Sequence, residues 1–203
     1  MQKLLPGHFL IMFFFAFDLL IAISPFIIMA NQQFAEQLYE WFHVICHERN
    51  SRSYCIDASL RISDCIENPT FSEKASTPIV IDSGKTKYKF IVCSRDIGIY
   101  FGMLIGMLIF VKQKGFVSKE LMSPWLLIVA IAPTAIDGGV QLASSLGIKL
   151  PIIGYYESTN IVRLTTGLLA GIATGYAIIP LANAFLLNKN NKKVEQRTSN
   201  VKN

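Results

Sequence analysis

The chain has 203 residues, of which 52% are apolar and only 16% charged, where a soluble domain carries about a quarter charged residues. Mean hydropathy is +0.41, and the polar residues fall into a few blocks, which excludes one large water-soluble core and points to several membrane spans. The net charge of +5 is mostly local: residues 189–203 hold five basic residues and Glu195, so the basicity marks the flank of a final span rather than a nucleic-acid surface.

Four stretches are long enough to cross a hydrocarbon core of about 30 Å, which takes about 20 helical residues. The first is HFLIMFFFAFDLLIAISPFIIMA, residues 8–30. Lys3 and a run ending in Ile-Met-Ala resemble a signal peptide, but the run exceeds the roughly 7–15 residues of a signal's apolar region, so a retained span is expected. Asp18, midway along it, calls for a structural partner in the bundle, and His8 reads as an interfacial residue.

Residues 31–92 form an excursion between the first two spans. In FAEQLYEWFHVICHE (34–48), Phe34, Leu38, Trp41, Phe42 and Ile45 recur at helical spacing, with Glu36, Gln37 and Glu40 elsewhere on the wheel. That pattern predicts an amphipathic helix on the membrane surface. Cys46, His47, Arg49 and Arg52 follow it. Residues 50–90 are polar, with Pro69 and Pro78, and predict a loop ending in a small hairpin around Ser83-Gly84.

The second span runs from about Cys93 to Val111 and opens with Cys93, Arg95 and Asp96. The third runs from Pro124 to about Leu146 and carries Pro133, which removes a backbone donor and predicts a kink, then Asp137, Gly138, Gly139 and Gln141. The fourth covers about 159–187 and opens behind Glu157 with Asn160 and Arg163. Gly98, Gly102 and Gly106 in the second span, and Gly167, Gly171 and Gly175 in the fourth, are spaced by four and predict close helix packing in lipid.

Lys112, Lys114 and Lys119 in the loop after the second span, and the basic tail, belong inside by the positive-inside rule. An even number of spans then puts both termini in the cytoplasm. The expected architecture is an all-α membrane protein of the cell membrane. Four transmembrane helices form one domain over residues 1–188, joined by a surface helix and an external excursion, and the tail is 189–203. In that topology four separate stretches deliver ionisable groups to the outer third of the bilayer, since Asp137 lies about 20 Å up the third helix at 1.5 Å per residue. Ionisable side chains at such depth are costly and mark functional sites. Arg163 is a natural counter-ion for Asp137, and Arg95 can also snorkel to headgroups.

All four cysteines fall on the expected outer side, where disulfides persist. Cys55 and Cys65 share the excursion and most simply bridge each other. Cys46 and Cys93 then stand beside His47, Asp96 and His43, either as a second disulfide or as part of a metal site. Cysteine, histidine and carboxylate ligands would suit zinc and leave room for an activated water, and cysteine with histidine would also hold copper.

These residues resemble a widespread family of small predicted membrane proteins known as a domain of unknown function. A Cys-His-x-Arg-x-x-Arg-Ser box matches Cys46, His47, Arg49, Arg52 and Ser53. A Cys-x-Arg-Cys-x-Gly-Ile-Tyr-x-Gly box matches Cys93, Arg95, Gly98, Ile99, Tyr100 and Gly102. An Asp-Gly-x-x-Gln box falls on Asp137, Gly138 and Gln141, and a Glu-Ser-x-Asn-x-x-Arg-x-x-Thr-Gly box on Glu157, Ser158, Asn160, Arg163, Thr166 and Gly167. The resemblance implies a multi-span fold and an outer polar site, and names no reaction. Two departures stand out. Asp96 replaces the box's second cysteine, so a zinc set here is poorer in thiolate. The loop between the first two boxes is longer and adds Cys55 and Cys65.

Two functions follow. One is a membrane enzyme acting on a lipid or lipid-linked head group. Arg49, Arg52, Arg95 and Arg163 would hold phosphate with Gln141 and Asn160 beside them, Asp137 or Glu157 would act as base, and Cys46, His47, Cys93 and Asp96 would hold zinc or copper. The other is an accessory subunit docked on other membrane subunits, as in a respiratory or copper-containing oxidase. A transporter is disfavoured by the one-sided placement of the charges. The chain has no His-Glu-x-x-His, Gly-x-Ser-x-Gly or P-loop motif.

Overall fold

The computed structural model describes residues 6–43, 46, 49–67, 76–149, 151 and 154–201, with the last helix described as backbone beyond residue 185. Four helices are long and apolar enough to cross a membrane: α1 (Pro6–Ala30), α3 (Ser94–Lys114), α4 (Pro124–Ser145) and the first part of α5 (Asn160–Val201), whose apolar stretch ends at Phe185. The sequence anticipates each to within a few residues. The basic tail, expected as a separate segment, continues the backbone helix of α5 to Val201.

The centre of the bundle is α3 against α5. A Cβ placed on Gly98, Gly102 or Gly106 would come within 2.5 Å of a backbone oxygen of α5, and one on Gly167, Gly171 or Gly175 within 2.3 Å of a backbone oxygen of α3. The two helices run parallel, and only residues without a side chain allow this approach. In lipid, where burial of apolar surface gives little drive, van der Waals contact at such range supplies the association. Helix α1 packs on α3, with Phe17 edge-on to Tyr100 at 4.8 Å between centroids. Helix α4 touches α5 and leaves Trp125, Leu126, Val129 and Ile136 exposed, a surface clothed by the bilayer. It runs unbroken through Pro133, and Thr134 Oγ1 donates to Thr166 O at 2.6 Å, stitching α4 to α5.

The all-α expectation needs correction. The excursion folds into a four-stranded antiparallel sheet of order β2-β1-β4-β3, built from β1 (Tyr54–Asp57), β2 (Ile62–Asp64), β3 (Ile79–Asp82) and β4 (Lys85–Lys89). The β3–β4 hairpin turns at Ser83-Gly84 as anticipated. Both residues have positive φ (51° and 75°), the geometry of a two-residue turn matched to strand twist. The β1–β2 hairpin escaped notice because its strands are only four and three residues long. The sheet also inverts the usual pattern, since Lys87 and Lys89 of β4 are the buried residues. The Lys87 ammonium donates to Asp82 at 3.1 Å and to Asp64 O at 3.0 Å, and Lys89 to Ser76 Oγ at 3.1 Å. Cys55 and Cys65 are bonded as expected, across ten residues joining β1 to the end of β2.

The amphipathic helix is α2 (Gln32–His43), shorter than the anticipated 34–48; residues 44, 45, 47 and 48 lie outside the described set. It buries Ala35, Leu38, Tyr39 and Phe42, and leaves Phe34 and Trp41 exposed at 53% and 76%. The helix is thus rotated from the anticipated face, which turns the Tyr39 hydroxyl onto Lys89 O. Its buried face, Ile21 and Ile28 of α1, and Ile56, Phe90, Ile91 and Val92 form one core at the sheet end of the bundle. There Ser24 Oγ accepts the Ile91 N–H at 3.2 Å, tying α1 to the chain that leads into α3.

Gly171→Leu should destabilise the protein by about 3 kcal/mol or more, because its side chain meets rigid backbone. Gly139→Ala, with nothing within 4 Å of the new Cβ, should change stability by no more than about 1 kcal/mol, toward gain, from helix propensity. Thermal unfolding in detergent reads both, and equal effects would overturn the packing argument.

Candidate functional site

The N-terminus of α3, the C-terminal turns of α4, the segment before α5 and the first turn of α5 meet beneath the sheet. Asp137, Gln141 and Ser144 lie at i, i+4 and i+7 on α4, one face of a helix, and all three are buried. Arg95 Nη2 donates to Asp137 Oδ2 at 2.5 Å and to Gln141 Oε1 at 3.2 Å. It reaches them across Gly138, where a Cβ would lie 3.1 Å from Arg95 Nη1. Gln141 Nε2 in turn donates to Glu157 Oε1 at 2.7 Å.

Glu157 is the hub. Its Oε1 also accepts from Arg52 Nε at 3.0 Å and from Arg163 Nη2 at 2.5 Å, and its Oε2 from Arg52 Nη2 at 3.2 Å. Burial raises the pKa of this carboxyl, but the hydrogen bonds and charges of Arg52 and then Arg163 outweigh it and hold it below its ordinary value. Arg163 is 1% exposed; its Nη1 donates to Asn160 Oδ1 at 3.3 Å. Asn160 Nδ2 donates to Asp64 Oδ1 at 3.0 Å, and Asn160 Oδ1 accepts from Ser94 Oγ at 2.8 Å.

The expected pairing of Asp137 with Arg163 is replaced by two pairs, Asp137 with Arg95 and Glu157 with Arg163 and Arg52. Glu157 sits in the turn leading into α5, nearer to Arg163 than the α4 carboxylate is. With both carboxylates engaged by guanidinia, their evident part is that of counter-ions.

Four residues join the site that sequence reasoning did not select. Tyr156 donates its hydroxyl to Asp137 Oδ1 at 2.9 Å, and its N–H is taken by Ser144 Oγ at 2.9 Å. Ser94 links Arg52 O to Asn160, and Asp64 comes from the unforeseen strand β2. The i, i+7 spacing from Asp137 carried a signal for Ser144; the other three have none in the sequence.

Cys46, Cys93 and Asp96 gather beside this network, their ligand atoms all within 4.8 Å of one another. Cys93 Sγ lies 3.2 Å from Asp96 Oδ2. Both cysteines are free. The hydrogen bond with Cys46, then burial, then the Asp96 charge push the Cys93 thiol well above its ordinary range. His43 is exposed and does not join the cluster; His47 lies outside the described residues. A cavity of about 110 Å³ lies between the two groups, lined by Cys46, Arg49, Arg52, Cys93, Arg95, Gln141 and Arg163. Arg95 Nε and Arg163 Nε are buried without a hydrogen-bond partner, and Arg49 makes no ion pair among the described residues.

Asp18 lies apart from this site, on an apolar groove of about 520 Å³ between α1, α3, α5 and the sheet. Its Oδ2 is buried with no hydrogen-bond partner, so the expected structural partner is not found among the described residues. His8 stacks on Phe116 at 3.7 Å between centroids, at the end of the bundle away from the sheet.

Four bilayer-length helices around a charged network buried at one end define a multi-pass membrane protein. The chain belongs to the family described as "Predicted membrane protein (DUF2085)", whose profile matches residues 85–177, from β4 through most of the apolar part of α5. An uncharacterized protein of Methanocaldococcus jannaschii is 30% identical over 144 residues, 71% of this chain and 67% of its own. Another of Methanothermobacter thermautotrophicus is 39% identical over 94 residues, 44% of this chain and 68% of its own. No solved structure matches the chain.

Asp137→Asn should cost about 2–4 kcal/mol, the range for breaking a buried ion pair discounted for the partial exposure of Arg95, whereas Asp18→Asn, which removes no ion pair, should be neutral or stabilising in the same melt. Because Glu157 has a depressed folded pKa, its contribution is present above its unfolded value and lost as pH falls through the folded one. Stability should therefore drop on acidification below pH 4.5, the ordinary value, and Glu157→Gln should flatten that part of the profile. An unchanged profile in the variant would remove Glu157 from the hub.

Proposed function

We propose that this protein binds the phosphate of a lipid or lipid-linked head group in the arginine-lined cavity, on the outer side of the cell membrane. The observation that carries this reading is the charge imbalance among the described residues: Arg49, Arg52, Arg95 and Arg163 line one small cavity, yet only two carboxylates are paired with them, Glu157 with Arg52 and Arg163 and Asp137 with Arg95, while Arg49 has none. Guanidinium forks suit phosphate oxygens. A volume of about 110 Å³ falls well below the roughly 300–1,000 Å³ of pockets for drug-sized ligands, so the cavity takes a head group and not a whole lipid.

The membrane source is favoured by a bilayer-facing groove of about 640 Å³ between α4 and α5, lined by Val129, Ala132, Pro133, Ile136, Val140 and Val162. The groove is also lined by Asp137 and Tyr156, both members of the network. An acyl chain lying there would bring its head group to the network. The outward orientation rests on Lys112, Lys114 and Lys119 and on the basic tail.

A second reading, an accessory subunit of a larger membrane complex, is favoured by Leu60, Ile62 and Ile81, exposed apolar residues of the sheet and its β1–β2 turn. Proteins co-purifying stoichiometrically in mild detergent would favour it.

Equilibrium binding of inorganic phosphate and of a short-chain phosphatidic acid to the detergent-solubilised protein tests the first reading. One phosphatidic acid per chain is expected, tighter than free phosphate, with Arg49→Ala weakening it about tenfold, the worth of one charged hydrogen bond. Equal affinity for both would assign the cavity to a soluble anion, and binding of neither would overturn the reading. Maleimide labelling in intact cells should reach Lys85→Cys and spare Lys119→Cys; the reverse would turn the cavity inward.

A further inference from the structure

We propose that Cys46, Cys93 and Asp96 form a zinc site opening on the arginine-lined cavity. The inference goes beyond the phosphate reading and stands on different atoms. Two sulfurs and one carboxylate oxygen from two segments of the chain lie within 4.8 Å of one another. At a Zn–S distance of about 2.3 Å, a tetrahedral ion holds two sulfurs about 3.8 Å apart and a sulfur and an oxygen about 3.5 Å apart. Side-chain shifts of about an ångström therefore close the set. Cys93 and Asp96 are held at i, i+3 by the first turn of α3, so two of the three ligands are positioned by one rigid element, and Cys46 approaches from the chain that follows α2.

The cluster differs from a spare disulfide. Cys55 and Cys65 are bonded while Cys46 and Cys93 are free, and Asp96 stands against Cys93, where it serves neither a disulfide nor an apolar core. Two thiolates and a carboxylate bring three negative charges into a partly buried place. A divalent cation offsets two of them, and the same cavity is lined by Arg49, whose charge has no ion-pair partner among the described residues. The hard carboxylate oxygen selects zinc over copper(I), which prefers sulfur alone. Binding releases the two thiol protons, and the ion takes up both thiolates without any change of oxidation state. Three protein ligands leave the fourth position to water or to an anion in the cavity, the arrangement of an open zinc site.

Cobalt(II) titration of the full-length protein, purified anaerobically in detergent without reductant so that Cys55–Cys65 stays bonded, tests the site. The expected result is one equivalent per chain with thiolate-to-metal charge-transfer absorption, displaced by zinc and lost in Cys46→Ser and in Cys93→Ser. Asp96→Asn keeps both thiols and should weaken binding by at least the roughly tenfold that loss of even an outer partner of a metal ligand costs, with helicity by circular dichroism and elution volume unchanged. Absence of the absorption, its survival in both serine variants, or a Cys46–Cys93 disulfide in the anaerobic protein would overturn the proposal. The absorption reads thiolate ligation alone, so failure here leaves the phosphate reading standing, and failure of phosphate binding leaves the zinc site standing.

Discussion

Helices α3 and α5 touch backbone to backbone through six glycines, and the polar network at their first turns depends on that contact. A bilayer offers apolar helices little reason to associate, because lipid chains are as apolar as leucine. Close approach without side chains is what remains, and it also sets register. Since the two helices run parallel, their first turns arrive together, which sets Ser94 beside Asn160 and brings Arg95 near Gly167 and Arg163. A side chain at any of the six positions would separate the turns that the polar network needs in contact.

Helix α4 is held differently. Most of its surface faces lipid, and its contacts with the rest of the bundle are largely polar: Thr134 to the α5 backbone, Asp137 and Gln141 to Arg95, Gln141 to Glu157, and Ser144 to the Tyr156 amide. Breaking a buried ion pair by removing one partner strands a charge in a medium that solvates it poorly. The network is thus both the candidate site and the fastening of a helix that packs weakly. Substitutions chosen to probe function at Asp137 or Glu157 therefore act on assembly too, whereas Arg49, which has no ion-pair partner among the described residues, reports on the cavity more cleanly.

The sheet completes the polar end. It contributes Arg52 and Ser53 from the chain leading into β1, and Asp64 from β2, and it shares a core with α1 and α2 rather than lying loose on the bundle. Its stability comes from unusual places. Two lysines point inward and are satisfied by carboxylate, carbonyl and hydroxyl oxygens, and a disulfide closing a ten-residue separation restricts the unfolded chain, worth on the order of 2–3 kcal/mol.

The sequence by itself determined the spans, their ends, the glycine contact, the Ser83-Gly84 hairpin and the Cys55–Cys65 bond. Each of these is local or periodic: hydropathy over about 20 residues, a spacing of four, a turn dipeptide, two cysteines in one loop. It also marked the four stretches whose ionisable residues meet, because charge inside an apolar span is costly wherever the partner lies. Only the tertiary structure decided which partner that is. Arg95 takes Asp137 and Arg163 takes Glu157, a choice set by helix rotation and by the fold of the 147–158 segment, neither of which leaves a periodic trace. The β1–β2 hairpin, with Asp64 in it, and the inward lysines of β4 stayed hidden for a related reason: in strands of three to five residues, burial depends on what the rest of the chain places against them.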